Sequence, residues 1–218
     1  MKIVSFIPIK LGSKRVPGKN IKPFFDGTPL IHFIQKACLS TKNIDEVYVY
    51  CSDEAVVPYL LPGVKFLKRP DYLDGDNINA NDFIREFMRV VDADIYVNAH
   101  TTSPFAKPAT IEDLVEKVAS GKYDSAFCAE NIRTFMWKDG KPMNFDPNHF
   151  PRTQDLPDIY GETSIAYVFT KESFLKNNRR LGQKPYIKEV GKIEAIDIDY
   201  PEDFEIANAI YKEIICKL

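Results

Sequence analysis

Apolar and polar positions along the chain alternate between the periods of strands and of helices. Residues 3–9 form a short, nearly continuous apolar run rich in β-branched side chains and followed by a Gly, Lys and Pro loop. That pattern predicts a strand buried on both faces, the first and central one of a sheet. Thr28-Pro29 then predicts a helix start, a capping hydroxyl with proline in the first turn, and Leu30, Ile34, Ala37 and Cys38 fall on one face. The alternation repeats with a strand at 46–51, a short helix at 53–61, a strand at 64–68, a helix at 79–91 and a strand at 94–100. In the 79–91 helix, Ile84, Phe87, Met88 and Val91 share one side. Such an order predicts an α/β fold with a parallel-rich central sheet flanked by helices.

After a turn-rich stretch at 101–108, a helix is expected at 111–119, with Thr110-Ile111-Glu112-Asp113 as its capping box and Gly121 as its terminator. A strand follows at 125–130. Periodicity then fails from 133 to 160, where Asp139-Gly140 reads as a hairpin turn and Pro, Asn and Asp accumulate. Residues 132–160 are therefore expected to be an inserted arm on a single domain spanning 1–218. Strand signals return at 163–169 and 193–198, and Pro201 begins a last helix whose Phe204, Ala207, Ile210, Tyr211 and Ile214 are expected to face the core. No internal repeat or flexible linker interrupts this order.

Composition narrows the class. In 218 residues, 44% are hydrophobic and 28% charged, which is ordinary globular usage and argues against disorder. Twenty-nine basic and 31 acidic residues give a formal net charge of −2, with no electrostatic footprint for duplex nucleic acid or an anionic membrane. No apolar run approaches the roughly 18 residues of a membrane span, and the first residues enter a strand pattern without a small-residue cleavage site. A soluble cytoplasmic protein is expected. Cys38, Cys51, Cys128 and Cys216 lie far apart, at least three of them in apolar segments, so reduced thiols are expected in place of disulfides or a zinc site.

In an open α/β sheet, ligands bind beyond the carboxyl ends of the strands. The loop after the first strand, Lys10-Leu11-Gly12-Ser13-Lys14-Arg15-Val16-Pro17-Gly18-Lys19-Asn20, carries four cations and two glycines. Close backbone approach, exposed amides and lysine charge suit it to a polyphosphate. It lacks the Gly-Lys-Ser/Thr ending of an ordinary P-loop, and a solvated basic loop is the plain alternative. In Asp197-Ile198-Asp199, strand alternation would point both carboxylates to one face, where they could hold Mg²⁺ together with phosphate oxygens. Alternatively, Asp199 caps the final helix and Asp197 pairs with a surface cation. His100-Thr101-Thr102-Ser103-Pro104 ends a central strand in small hydroxyls suited to a polar substrate, or to satisfying its own turn. Arg152 and Glu162 add polar groups from less regular sequence, whereas His32 and His149 read as structural.

These pieces together resemble the acylneuraminate cytidylyltransferases, the synthetases of CMP-sialic acid and related CMP-activated acidic sugars, nearly end to end. The carrying residues are Ile7-Pro8-Ile9-Lys10, Ser13-Lys14 and Lys19-Asn20, then Arg69-Pro70 with Asp76, residues 100–104, Pro151-Arg152 and residues 196–199. The resemblance implies a Rossmann-like nucleotidyltransferase fold and attack of a sugar hydroxyl on the α-phosphorus of CTP, with pyrophosphate released. It further implies that Lys10, Gly12, Ser13, Lys14 and Lys19 hold the triphosphate, and that Asn20, Arg69 and Asp76 serve nucleotide recognition. Asp197 and Asp199 would bind Mg²⁺, while His100, Thr102, Ser103, Arg152 and Glu162 would face the acceptor. Lys10, Lys14, Asp197 and Asp199 would be the catalytic set, and a homodimer formed through the arm is expected.

The chain departs from the family pattern in three places. Lys10 stands in place of arginine, His100-Thr101 in place of Gln-Pro, and Gly161-Glu162-Thr163-Ser164 in place of Arg-Glu-Asn-Gly. A lysine cannot grip phosphate bidentately, and loss of a guanidinium on the sugar side removes a natural carboxylate partner. The resemblance implies a small acidic, nonulosonic-acid-like sugar as acceptor, and the departures leave a phosphonate or another unusual acceptor as alternatives. Two other readings are a metal-dependent glycosyltransferase, which would not need the early basic loop, and a nucleotide-binding subunit that has lost turnover.

Overall fold

The computed structural model describes residues 1–13 and 15–217. Its centre is a seven-stranded sheet in the order β3-β2-β1-β4-β8-β5-β9. The strands are β1 (Ile3–Ile9), β2 (Glu46–Cys51), β3 (Val64–Lys68), β4 (Ile95–Ala99), β5 (Ser125–Asn131), β8 (Tyr160–Thr170) and β9 (Pro185–Glu189). β1 runs parallel to both β2 and β4, whereas β8 lies antiparallel to β4 and β5, so β8 alone opposes the common direction.

Side-chain alternation along β1 builds two cores at once. Ile3, Ile7 and Ile9 join Ile31 and Ile34 of α1 (Ile31–Ser40) and Ile111, Leu114 and Val115 of α3 (Pro108–Ala119) on one face. Val4 and Phe6 point the other way, towards Ile84, Phe87 and Met88 of α2 (Ala80–Val90) and Phe174 of α4 (Lys171–Asn177). Phe6 stacks on Phe87 with ring centroids 4.3 Å apart. A third cluster joins Phe24, Leu30 and Phe105 to Ile198 and to Phe204 and Ala207 of α5 (Pro201–Glu213). By anchoring Ile198, it fixes the two aspartates on either side.

Several expectations are corrected. Helix α1 begins at Ile31 without a side-chain cap, because Thr28 is bonded to Asp26 and Pro29 bridges Pro23. Helix α3 starts at Pro108, three residues before the expected start, so Thr110 is buried in its first turn and no capping box forms there. A capping box lies instead on α2, between Asn79 and Asp82. Residues 193–198 are not a strand. Ala195 and Ile196 close local turns on Gly191 and Ile193, and the Ile198 amide donates to the Thr102 carbonyl at 2.9 Å. Ile214 is 41% exposed, facing away from the core. The short helix α4 and the edge strand β9 had no sequence expectation at all.

Between β5 and β8 the chain makes the hairpin β6 (Trp137–Lys138) and β7 (Lys141–Pro142), with Asp139 and Gly140 both at positive φ in its turn. Phe135, Phe145 and Phe150 pack around it. Cys38, Cys51 and Cys128 are buried free thiols and Cys216 is exposed. Among the described residues no helix is long and apolar enough to cross a membrane.

Candidate active site

In the order β3-β2-β1-β4, the chain leaves β1 for neighbours on opposite sides, which opens a crevice beyond the carboxyl ends of β1 and β4. A cavity of about 460 Å³ occupies that crevice. Its walls include Lys10, Ser13, Lys19 and Asn20 from the loop after β1, Arg69, Asp74 and Asp76 from beyond β3, and His100, Thr101 and Thr102 from beyond β4.

The loop after β1 is pinned by few, specific bonds. The Asn20 side-chain amide donates to the Lys10 carbonyl at 2.9 Å, and Gly18, at φ 64°, turns the chain into the 3-10 turn at Lys19–Ile21. A positive φ is a conformation that glycine adopts without steric cost. Lys19 is 7% exposed, and its Nζ donates to the Ile198 carbonyl at 2.5 Å and lies 3.5 Å from Asp199 Oδ1. One buried ammonium thus joins the basic loop to the aspartate segment, 179 positions away.

Arg15 makes a second link, donating from both terminal nitrogens to the two Asp199 oxygens at 3.0 and 2.9 Å. Asp197 is set deeper. Its Oδ2 accepts from the Ser164 hydroxyl at 3.2 Å, and its Oδ1 is buried with no hydrogen-bond partner among the described residues. Burial raises the Asp197 pKa and the neighbouring Asp199 charge adds to that rise, while Thr102, Ser164 and Lys19 act against it. A buried carboxylate oxygen left unsatisfied carries a desolvation penalty that a cation would remove. With one such oxygen and a second carboxylate held by the half-exposed Arg15 and, at 3.5 Å, by Lys19, the donor set fits a hard divalent ion that takes its other ligands from phosphate and water.

At the β4 end, His100 Nε2 lies 3.2 Å from Asn98 Oδ1, and the imidazole packs against the Tyr167 ring at 5.7 Å. Burial, together with the Arg180 cation, pushes the His100 pKa down to about 3, so the ring is neutral. Arg180 stacks on the opposite partner of that pair, Tyr167, at 3.3 Å, and donates to Glu162 at 3.3 Å.

The sequence candidates divide accordingly. Lys10, Ser13, Lys19, Asn20, Arg69, Asp76, His100 and Thr102 line one cavity, and Asp197 and Asp199 adjoin it through Thr102 and Lys19. Gly12 is in the same loop with open space around its Cα, and Lys14 lies outside the described residues. Ser103 is buried, 1% exposed, and does not line the cavity. Arg152 is on the arm, paired with Asp155 at 2.7 Å, and Glu162 is engaged by Arg180 and Tyr167. Asp74 and Arg180 had no sequence signal, Arg15 had one only as one of the four cations of the basic loop, and Ser164 only as part of the segment 161–164 expected on the sugar side.

Fold and crevice define an open α/β protein with a cationic cleft at the switch point of its parallel strands. Residues 4–215 match the family model described as Cytidylyltransferase, and the chain belongs to that family. It is 31% identical over 215 residues to N-acylneuraminate cytidylyltransferase A of Danio rerio, covering 94% of this chain and 50% of the relative. The chain spans about half the length of the first relatives it matches, 50% and 49%. Pseudaminic acid cytidylyltransferase of Campylobacter jejuni subsp. jejuni is 25% identical over 226 residues, with 97% of each chain covered. Among solved structures, CMP:2-keto-3-deoxy-manno-octonic acid synthetase complexed with CTP superposes with a TM-score of 0.73 at 20% identity, covering 98% of this chain and 99% of that one. The fold is the Rossmann-like nucleotidyltransferase fold.

Proposed function

We propose that the protein transfers CMP from CTP to a small acidic sugar-like acceptor and releases pyrophosphate. The observation that carries this reading is the Lys19 ammonium, which joins the cationic loop to the Asp197 and Asp199 segment at the edge of one cleft. In the reaction, an acceptor hydroxyl oxygen bonds to the α-phosphorus, the bond to the pyrophosphate oxygen breaks, and the hydroxyl proton leaves to solvent or base. Lys10 and Lys19 neutralise the triphosphate and hold it for in-line attack, which is where such transfer gains most. Asp197 and Asp199 are the residues that would hold Mg²⁺, with Arg15 yielding its grip on Asp199. Bound there, the metal would supply Lewis-acid polarisation of phosphate oxygen.

The acceptor side is supported by the chemistry in the printed names of the relatives, N-acylneuraminate and pseudaminic acid, both acidic sugars. Thr102 and His100 offer neutral hydrogen-bonding groups at that end of the cleft. The arm presents Trp137, Met143 and Phe150 to solvent, at 59%, 47% and 65% exposure. An apolar patch of this kind suits pairing with a second copy of the chain, and we assign a homodimer to it.

The test is pyrophosphate release from each of the four nucleoside triphosphates with Mg²⁺ and a panel of acidic sugars and phosphonates. Turnover with CTP alone is expected. Release with another triphosphate in preference to CTP would contradict the reading, and tight CTP binding with no release from any acceptor would favour a subunit without turnover.

A further inference from the structure

We propose that Asp74, held by Arg69 and Ser52, makes this cleft select a cytosine over a uracil ring; the proposal rests on the CTP reading above. The cavity lining is of two kinds. Lys10, Ser13 and Lys19 supply cationic and hydroxyl groups suited to phosphates, and Leu73, Ile78 and Phe83 supply apolar surface suited to a planar ring. Arg69, Asp74 and Asp76 add further polar groups to the same lining.

Arg69 is 4% exposed, and its terminal nitrogen is bonded to Asp74 Oδ1. The Ser52 hydroxyl donates to Asp74 Oδ2, so the carboxylate is fixed from two sides, and Lys10 Nζ donates to the Asp74 backbone carbonyl. Arg69 Nε is buried and has no acceptor among the described residues. An ionised carboxylate has about four accepting positions, of which two are filled here. The Asp74 side chain keeps 28% of its surface exposed.

A carboxylate in a cleft meant for a triphosphate opposes polyanion binding, so its presence there needs a compensating role. Cytosine presents an amine donor at C4 and acceptors at N3 and O2, whereas uracil presents a carbonyl at C4 and an N–H at N3. A carboxylate can only accept and a guanidinium can only donate. Asp74 beside Arg69 therefore offers an acceptor and a donor in the order that cytosine matches, and it meets the uracil edge like against like. Carboxylate acceptance from the cytosine amine is an established pairing in base recognition.

Equilibrium binding of CTP and of UTP, each with Mg²⁺ and without acceptor, tests this in the wild type, Asp74→Asn and Ser52→Ala. Wild type is expected to prefer CTP by on the order of 10- to 100-fold. In Asp74→Asn the amide can donate to a C4 carbonyl, so CTP weakens, UTP gains, and the ratio falls by about 10-fold or more. Ser52→Ala should lower the ratio in the same direction by less. A purely structural role would weaken both nucleotides alike. An unchanged ratio in Asp74→Asn, with CTP still bound tightly by wild type, overturns the proposal and leaves the CTP reading standing. Should Asp74→Asn fail to fold, the Ser52→Ala ratio decides by the same criterion. Absence of CTP binding by wild type would overturn the CTP reading itself, and this proposal with it.

Discussion

Two residues show how environment sets chemistry in the cleft. Asp197 has one buried oxygen without a partner among the described residues, so removing its charge should cost little stability but all metal-dependent chemistry. Asp197→Asn is expected to abolish pyrophosphate release while thermal unfolding stays within a few degrees of wild type; wild-type rates would remove the metal role. His100 makes a different prediction. Its pKa in the fold is lowered to about 3 from 6.5, so the folded protein keeps a neutral imidazole while the unfolded chain takes up a proton. The stability this group contributes is thus full above pH 6.5 and is lost as pH falls towards 3. The unfolding temperature of His100→Gln should fall less steeply than that of wild type between pH 6.5 and 4, and parallel curves would contradict the assignment.

Among elements, those that repeat a period along the chain were legible and those fixed by distant partners were not. β1 and β2 end where the apolar runs end, because strands buried in a parallel sheet need apolar side chains on both faces. Residues 193–198 carry the same apolar composition, but Ile198 buries against Phe24 and Phe204 in place of a sheet neighbour. The strand expected there is a loop, although the two aspartates still flank a buried isoleucine. The pairing of Arg15 with Asp199 spans 184 positions and leaves no local trace in sequence. β9 escaped notice because an edge strand with lysine and glutamate lacks a clear period. Its docking depends on Asp124, whose carboxylate accepts from the backbone amides of Gln183 and Lys184 at 2.7 and 3.1 Å. A Cβ at Gly182 would overlap that carboxylate. Gly182→Ala is therefore expected to destabilise the protein by about 1–3 kcal/mol, read as a lower unfolding temperature, and an unchanged temperature would show that this turn has slack.

At the scale of the molecule, one sheet order explains the cleft. With β2 and β4 on opposite sides of β1, the loops after β1, β3 and β4 converge, and α5 presses Ile198 and its aspartates against the same edge. The arm stands apart from this centre. If it pairs two copies, substituting Trp137→Ser together with Phe150→Ser should convert a sedimenting dimer to monomer without unfolding the core. A monomeric wild type would contradict that assignment. The central claim, that basic loop and aspartate couple serve one nucleotide, is tested most directly by a crystal structure of the protein with CTP and Mg²⁺. The account predicts triphosphate density between Lys10 and Lys19, with the metal on Asp197. Nucleotide bound elsewhere, for instance in the cavity near Lys122, Lys176 and Lys184, would contradict it.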